Sequence, residues 1–348
     1  MNTAALVACA NTLVASGKGL LAMDESNPTC NRRFAALGIP QTVEMRRAWR
    51  ELLVTVPGLE ESISGAILYD ETIRQSDRHG RRFLDCLTEV GIIPGIKVDL
   101  GAKPLALHPG EKVTEGLDGL RERLAEYAGM GARFAKWRAV IGLDGDHPST
   151  ACIRANTQAL ARYAALCQEA GIVPIVEPEV LMEGNHPLER CRSVSGDVLT
   201  ALFEELQVQG AVLEGVILKP NMVLPGLDCP IQDPVRTVAA ATIECLSRTV
   251  PPAVAGIAFL SGGQSPELAS ARLNAMNDGA SIDRCPWPLV FSFARAIQQP
   301  ALDRWRGSDA NVAAAQQALL HRARCNHAAL RGAYDAATDC EHGYRKAS

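Results

Sequence analysis

Metal-binding and disulfide patterns are both missing from this sequence. Its seven histidines include no His-x-x-x-His pair, and none of them lies in the short apolar runs described below. Its eleven cysteines include no Cys-x-x-Cys pair and are too sparse for a disulfide scaffold. We therefore expect reduced thiols in a reducing compartment and chemistry that uses no metal.

Long apolar runs and an excess of positive charge are missing as well. No run approaches the ~18 residues of a membrane span, and residues 1–15, although apolar, lack the basic start of an export signal. The net charge of −4 argues against nucleic-acid binding through bulk electrostatics. We expect a soluble, cytoplasmic protein without membrane or nucleic-acid partners, with residues 1–15 as a surface helix. Export is the lesser alternative.

Linkers and repeats that would divide the chain are also missing. No long Ser/Gly stretch, charge block or internal repeat interrupts it, and 47% hydrophobic and 21% charged residues are ordinary for a globular protein. A length of 348 residues is compatible with two smaller domains or with one large α/β barrel. The uninterrupted chain favours one domain, residues 1–334, followed by a C-terminal tail, residues 335–348.

What the sequence contains is a series of eight short apolar runs between longer helical stretches. The runs occupy residues 20–24, 65–69, 95–99, 134–138, 173–179, 215–220, 256–262 and 289–294. Their starts are 45, 30, 39, 39, 42, 41 and 33 residues apart, which leaves room for one strand, one helix and two loops each. Eight consecutive βα units predict the α/β class and a single parallel (β/α)8 TIM barrel with an N-terminal helix. Apolar spacing predicts helices at 44–56 and 155–170, the second ending before Gly171.

Charged and polar side chains stand in or just after the ends of these runs. They are Asp24, Lys97, Lys136, Arg138, Glu177, Glu179, Lys219, Ser261 and Arg295. In a barrel these positions meet at the C-terminal mouth, where substrates bind. Structural ion pairs are the alternative for any one of them. For nine together a functional site is favoured, because charges in apolar strands cost free energy unless they are paired or functional.

Lys219 is the strongest candidate for a nucleophile. It follows three apolar residues and precedes Pro220, so its stem is predicted to lie in a buried strand. A lysine that is partly desolvated and close to other cations loses its proton more easily, and the neutral amine attacks carbonyls to form a Schiff base. The predicted chemistry is aldol cleavage, transaldol transfer or isomerisation. A structural salt bridge is the alternative.

Three carboxylates are candidates for proton transfer. Glu177 and Glu179 stand at one strand end, where mutual repulsion is expected to raise the pKa of one of them toward a value suited to acid–base work. Loop capping is the alternative for Glu179. Asp24 is the third candidate, and its alternative is the N-cap of the next helix.

Two regions are candidates for phosphate binding. Ser261 and Gly262 open a glycine-rich turn after the seventh run, and Arg295 follows the eighth, where barrels commonly hold phosphate. A tight turn that needs glycine is the alternative for the first region. Arg32 and Arg33 offer a second anionic site, with a solvated helix face as the alternative.

Seven ordered motifs resemble those of class I fructose-bisphosphate aldolases of the animal and plant type. They are LAMDES at 21–26, GIKVD at 95–99, TEGLDGL at 114–120, FAKWR at 134–138, IVEPE at 175–179, LKPNM at 218–222 and FLSGGQS at 259–265. The likeness extends from about residue 17 to residue 334. Another Schiff-base barrel, such as a transaldolase, and a non-enzymatic binding protein are the alternatives. Retention of Lys219, Glu177 and Asp24 favours the enzyme.

The resemblance implies a role for each residue at the barrel mouth. Lys219 forms the Schiff base with the ketose C2, Glu177 serves carbinolamine dehydration, and Asp24 takes the C4 hydroxyl proton. Lys136 polarises this region, and Glu179 tunes the two lysines. The positions that match the family's phosphate sites are Ser261, Gly262 and Arg295 for the C1 phosphate, and Ser26, Thr29, Lys97 and Arg138 for the C6 end. The implied assembly is a homotetramer, and neither cofactor nor metal is implied.

The chain departs from the family pattern at three places. Residues 292–295 read SFAR where the family has Ser-Tyr-Gly-Arg, so an alanine amide replaces a glycine amide, which requires a negative φ at Ala294. Thr29 and Arg32 replace a serine and a lysine. The tail is shorter than in the animal enzymes of the family, where a terminal tyrosine assists proton transfer at C3 of the enamine. Here Tyr344 is followed by four residues, and whether it has that role is left open.

Overall fold

Eight parallel strands close into a barrel in the computed structural model, which describes residues 2–15, 17–279, 285–337 and 339. The barrel strands are β1 (Gly19–Ala22), β2 (Ile63–Leu68), β3 (Ile93–Lys97), β6 (Phe134–Ile141), β7 (Val173–Val180), β8 (Ile217–Leu218), β9 (Gly256–Phe259) and β10 (Leu289–Phe293). Their order around the barrel is β1-β10-β9-β8-β7-β6-β3-β2. The predicted (β/α)8 barrel is confirmed.

Helices occupy the intervals between the barrel strands. They are α1 (Thr3–Leu13), α2 (Asn27–Ala35), α3 (Val43–Val54), α4 (Asp70–Ile73), α5 (Phe83–Glu89), α6 (Leu120–Met130), α7 (Thr150–Glu169), α8 (Leu188–Val208), α9 (Val235–Thr249), α10 (Pro266–Met276), α11 (Arg295–Trp305) and α12 (Val312–Ala329). The predicted helices at 44–56 and 155–170 correspond to α3 and α7. Helix α7 begins five residues earlier than predicted, because the Ser149 side chain caps it by accepting from the Cys152 amide at 3.1 Å.

A short antiparallel hairpin lies outside the barrel sheet, between β3 and β6. Its strands are β4 (Ala102–Pro104) and β5 (Lys112–Thr114). Residues 102–104 are exposed, and without a buried face the segment has no apolar alternation from which a strand is predicted.

Strand β8 is much shorter than the run from which it was predicted, residues 215–220. Gly215 belongs to a 3-10 turn (Leu213–Gly215), and Pro220 has no N–H to donate to a neighbouring strand. The Lys219 amide still donates to the Val176 carbonyl of β7 at 2.8 Å. This bond holds the backbone of Lys219 at the edge of β7.

Helix α1 closes the N-terminal end of the barrel. Leu6, Leu13 and Val14 are buried, and the Ser64 hydroxyl of β2 donates to the Leu13 carbonyl at 2.6 Å. The absence of a side chain at Gly65 makes room for this contact, since a Cβ there would lie 2.7 Å from Leu13 Cδ2. In the part of the chain that the structure describes, α1 thus covers the N-terminal end of the barrel, and the mouth described below lies at the C-terminal end.

The remaining expectations concern thiols, membranes and the tail. Every cysteine among the described residues is free. Within the described ranges, no helix combines the length and the apolar character needed to cross a membrane. Cys340, Tyr344 and most of the predicted tail lie outside the described residues, so the domain boundary at residue 334 stays a prediction.

Candidate active site

A cavity of about 1070 Å³ opens at the C-terminal ends of the barrel strands. All twelve predicted catalytic and phosphate-binding residues line it: Asp24, Ser26, Thr29, Lys97, Lys136, Arg138, Glu177, Glu179, Lys219, Ser261, Gly262 and Arg295. They lie in or just after six barrel strands (β1, β3, β6, β7, β8 and β9) and in α2 and α11. The cavity, which we call the mouth cavity, is large enough for a sugar bisphosphate.

Four buried side chains of alternating charge form a continuous chain at the floor of the mouth cavity. Lys136 Nζ lies 2.7 Å from Asp24 Oδ2 and 3.0 Å from Glu177 Oε2. On the other side of Glu177, its Oε1 lies 3.2 Å from Lys219 Nζ. Asp24 is 8% exposed, and the two lysines and Glu177 are each 3% exposed. Because every charge has an opposite neighbour, four ionisable groups can be buried together.

The charge chain sets the protonation of its members. Burial alone would raise the pKa of the Asp24 carboxyl, but the ammonium groups of Lys136 and Lys219 lower it to about 2. Burial disfavours the charged form of Lys136, yet the carboxylates of Asp24 and Glu177 raise its pKa above the ordinary value for lysine. At neutral pH the site therefore holds an ionised Asp24 beside a charged Lys136.

The pKa of the Glu177 carboxyl is lowered, whereas the sequence predicted a raised pKa for one member of the Glu177–Glu179 pair. Burial would raise it, but the cations of Lys136, Lys219 and Arg138 outweigh burial and lower it. Repulsion between Glu177 and Glu179 was the expected cause of a raised pKa. Three nearby cations reverse that effect, since opposite charges within a few ångströms favour the ionised form.

Glu179 and Asp99 hold the two cations at the β3 and β6 side of the mouth cavity. Glu179 Oε2 accepts from Arg138 Nε, and among the described residues this is its one ion pair. Asp99 Oδ1 lies 2.7 Å from Lys97 Nζ, and its Oδ2 accepts from the Arg138 amide at 3.2 Å. An effect of Glu179 on Lys136 and Lys219 therefore acts at longer range than a direct contact.

The β1–α2 junction brings hydroxyls and arginines to the same cavity. Asp24 does not cap α2, as the alternative reading had it, because Ser26 is the residue at the N-cap position. The Ser26 hydroxyl donates to Thr29 Oγ1 at 3.1 Å, and Arg32 Nη2 donates to the same atom at 3.1 Å. Arg33 is not on a solvated face, because its side chain is 13% exposed and pairs with the partly buried carboxylate of Glu25.

The β9 and β10 side of the mouth cavity, next to β1, combines a glycine turn with a helix start. Gly262 has a φ of +55°, which disfavours any residue with a side chain. Ala294 has a φ of −103°, so the negative φ required by its substitution for glycine is present. Helix α11 begins at Arg295, and its first amides have no acceptor within the helix. Free amides, a helix N-terminus and a guanidinium together suit a phosphate.

Sequence reasoning missed two features of the site. Ser292 of β10 lines the mouth cavity, and its buried Oγ has no hydrogen-bond partner among the described residues. The feature of the sequence that could have indicated Ser292 is a single serine within an apolar strand. Glu25, next to Asp24, pairs with Arg33 and with Arg50, the latter at 2.7 Å. No local pattern links residue 25 with residue 50, so this buried pair was not predictable from spacing.

Comparison with known proteins gives consistent matches over nearly the whole chain. The family described as "Glycolytic: Fructose-bisphosphate aldolase class-I" matches residues 5–347. A probable fructose-bisphosphate aldolase class 1 from Xylella fastidiosa is 55% identical over 333 residues, covering 95% of this chain and 99% of the relative. A chloroplastic fructose-bisphosphate aldolase from Chlamydomonas reinhardtii is 49% identical over 334 residues, covering 96% and 87%. A solved fructose-bisphosphate aldolase from Plasmodium falciparum superposes with a TM-score of 0.93 at 45% identity, covering 95% of each chain.

Proposed function

Because the chain belongs to the class-I fructose-bisphosphate aldolase family, we propose that Lys219 is the residue that forms its Schiff base. The enzyme is a carbon–carbon lyase of glycolysis. It cleaves fructose 1,6-bisphosphate reversibly to dihydroxyacetone phosphate and glyceraldehyde 3-phosphate. The 3.2 Å contact between Lys219 Nζ and Glu177 Oε1 is the observation that carries the assignment, since it joins a buried amine to a proton acceptor.

Glu177 is proposed to move the protons of imine formation. Its ionised carboxylate takes a proton from the Lys219 ammonium, and the freed amine attacks C2 of the ketose. The C2–O π bond breaks, and a proton passes from the attacking nitrogen to the C2 oxygen, which gives the carbinolamine. The protonated Glu177 then returns the proton to the carbinolamine hydroxyl, which leaves as water. Since the lowered pKa of Glu177 depends on nearby cations, conversion of the Lys219 ammonium to a neutral amine favours its protonation.

Asp24 is proposed to take the C4 hydroxyl proton while the C3–C4 bond breaks. The bond's electron pair moves toward the iminium nitrogen, which leaves an enamine on Lys219 and releases the aldehyde product. Free Asp24, with a pKa of about 2, is a weak base. The two phosphates of the substrate bring negative charge into the cavity and raise the proton affinity of Asp24.

The two phosphates are proposed to occupy separate parts of the mouth cavity. The C1 phosphate lies against Ser261, Gly262 and Arg295, and the C6 end lies toward Ser26, Thr29, Lys97 and Arg138. Lys97 and Arg138 already pair with Asp99 and Glu179. Binding of the C6 end therefore shares or exchanges these partners instead of using unpaired cations.

Borohydride trapping tests the assignment of the nucleophile. The protein is incubated with dihydroxyacetone phosphate and EDTA, reduced with sodium borohydride, and mapped by mass spectrometry. We expect the adduct on Lys219, none in Lys219→Met, and an unchanged adduct in Lys103→Met, which alters an exposed lysine of β4. An adduct that persists in Lys219→Met on another lysine would overturn the assignment.

Cytoplasmic location and a homotetramer are proposed on the strength of family membership. The relatives include cytosolic and chloroplastic enzymes. Light scattering on the purified chain separates a tetramer from a monomer.

A further inference from the structure

A cluster of metal-binding residue types lies outside the mouth cavity, between α12 and residue 339. His321 and Cys325 are four residues apart on α12, so they share one face of the helix. His321 Nε2 lies 2.7 Å from Asp339 Oδ1, and Cys325 Sγ lies 3.5 Å from the histidine nitrogen and 3.4 Å from the same oxygen. One nitrogen, one sulfur and one oxygen thus face one another.

The spacing of these three atoms is close to that of a tetrahedral metal site. With the usual zinc bond lengths, the edges of a tetrahedron of one sulfur, one nitrogen and one oxygen are ~3.4–3.6 Å. The two edges that include Cys325 Sγ already have this length. The His321–Asp339 edge, at 2.7 Å, is a hydrogen bond that has to widen when an ion replaces the proton.

The carboxylate of Asp339 is held in an orientation that leaves one oxygen for the ion. Arg322 Nη1 and the Tyr334 hydroxyl both donate to Oδ2, at 2.5 and 2.6 Å. Oδ1 faces only His321 and Cys325 among its described partners. Carboxylate ligands of metals are commonly fixed in this way by hydrogen bonds to the other oxygen.

Charge and ligand type together select the kind of ion. A bound divalent ion displaces the Cys325 thiol proton to solvent and binds neutral His321 through Nε2, whose proton then resides on Nδ1. The thiolate and the Asp339 carboxylate neutralise the ion, while Arg322 keeps its bond to the other carboxylate oxygen. A site with sulfur and imidazole nitrogen prefers zinc over magnesium or calcium. The His321 side chain is 23% exposed, which gives the ion and a fourth, water ligand access.

We propose that His321, Cys325 and Asp339 bind a soft divalent cation such as zinc, which fixes residue 339 against α12. None of the three residues lines the mouth cavity, so the ion takes no part in the imine chemistry. The sequence expectation that no metal is used rested on histidine pairs. A histidine–cysteine pair was not included in that expectation. The third ligand, Asp339, returns to α12 only because the chain turns after Gly332, whose φ is +64°.

Cobalt and zinc titrations of the EDTA-treated, full-length protein test the site. We expect one ion per chain, with cobalt giving the near-ultraviolet absorption of a thiolate–cobalt bond. In Cys325→Ser and His321→Gln that absorption disappears and zinc affinity falls by more than about a hundredfold. Cys285→Ser, which changes another half-buried cysteine, retains both. Tyr334→Phe removes a hydrogen-bond donor to the ligating carboxylate and is expected to weaken zinc affinity by about 10- to 100-fold.

The outcomes separate this proposal from the catalytic one. Zinc is expected to raise the melting temperature of the wild type and of Cys285→Ser, but not that of Cys325→Ser. Absence of the cobalt–thiolate absorption in the folded wild type, or equal zinc affinity in Cys325→Ser and wild type, would overturn the site. Cleavage activity is expected to be unaffected by EDTA, so a negative metal result leaves the Lys219 assignment standing.

Discussion

Lys136 is the residue on which the charges of the site converge. Its ammonium group lies within 3.0 Å of both Asp24 and Glu177, and its surroundings are almost dry. In such surroundings the electrostatic interaction between opposite charges is stronger than in water. Lys136 therefore keeps both carboxylates ionised, and its loss leaves two buried negative charges with less compensation.

Replacement of Lys136 by methionine is expected to lower kcat by about 10²- to 10³-fold, because a preorganised charge at the reacting centre is lost. The measurement is steady-state cleavage of fructose 1,6-bisphosphate, with circular dichroism to establish folding. Lys112→Met, which changes an exposed lysine of β5, is the control and is expected to keep wild-type kinetics. A folded Lys136→Met enzyme with kcat within about twofold of wild type would contradict this role.

At the scale of elements, strands and helices were predictable where their buried faces leave a pattern of apolar residues in the sequence. All eight barrel strands overlap the predicted runs, because strands covered on both faces are mostly apolar. Hairpin strands β4 and β5 escaped prediction, since they are too short and too exposed to carry such a pattern. The early start of α7 was missed because it depends on the Ser149 cap, which follows a proline and has no apolar periodicity.

Helix α1 provides a test of how the closed end of the barrel supports the fold. Leu13 is fully buried against β2, so Leu13→Ala is expected to cost about 2–5 kcal/mol of unfolding free energy. Urea unfolding measures this loss. Val208→Ala, at a side chain that is 77% exposed on α8, is the control and is expected to change stability by less than about 0.5 kcal/mol. Equal stability of the two variants would show that α1 is dispensable.

At the scale of the whole molecule, the location of the site was predictable and its internal pairing was not. Barrel topology brings every strand end to one mouth, so twelve residues could be assigned to one cavity before any distance was known. Which cation meets which carboxylate depends on side-chain packing across strands. The Glu179–Arg138 pair and the lowered pKa of Glu177 both arise there, beyond the reach of local sequence pattern.

The charge chain also makes global stability depend on pH. The folded pKa of Asp24, about 2, lies below its ordinary value of 3.8, so Asp24 contributes stability above pH ~4 that is lost as the pH falls toward 2. The shift corresponds to about 2 kcal/mol. We expect Asp24→Asn to be less stable than wild type at pH 5, and the gap to narrow between pH ~4 and ~2.

Urea unfolding at pH 5, 4 and 3 measures that gap. Asp118→Asn, at an exposed position, is the control and is expected to follow the wild-type pH dependence. A gap between wild type and Asp24→Asn that stays constant over this range would show that the carboxylate adds no pH-dependent stability.

Closure of the barrel by its first helix has a consequence for the order in which the chain folds. Leu6 packs on Gly215 and Val14 on Gly256, partners 209 and 242 residues further along the chain. Contacts of such separation form late and slowly, because a long loop has to close first. During synthesis, α1 emerges from the ribosome well before Gly215 and Gly256, so these two contacts cannot form until at least ~200 further residues have been made. The emerging chain therefore carries an apolar helix whose exposed surface has to be shielded until β9, the seventh strand of the barrel, has been made.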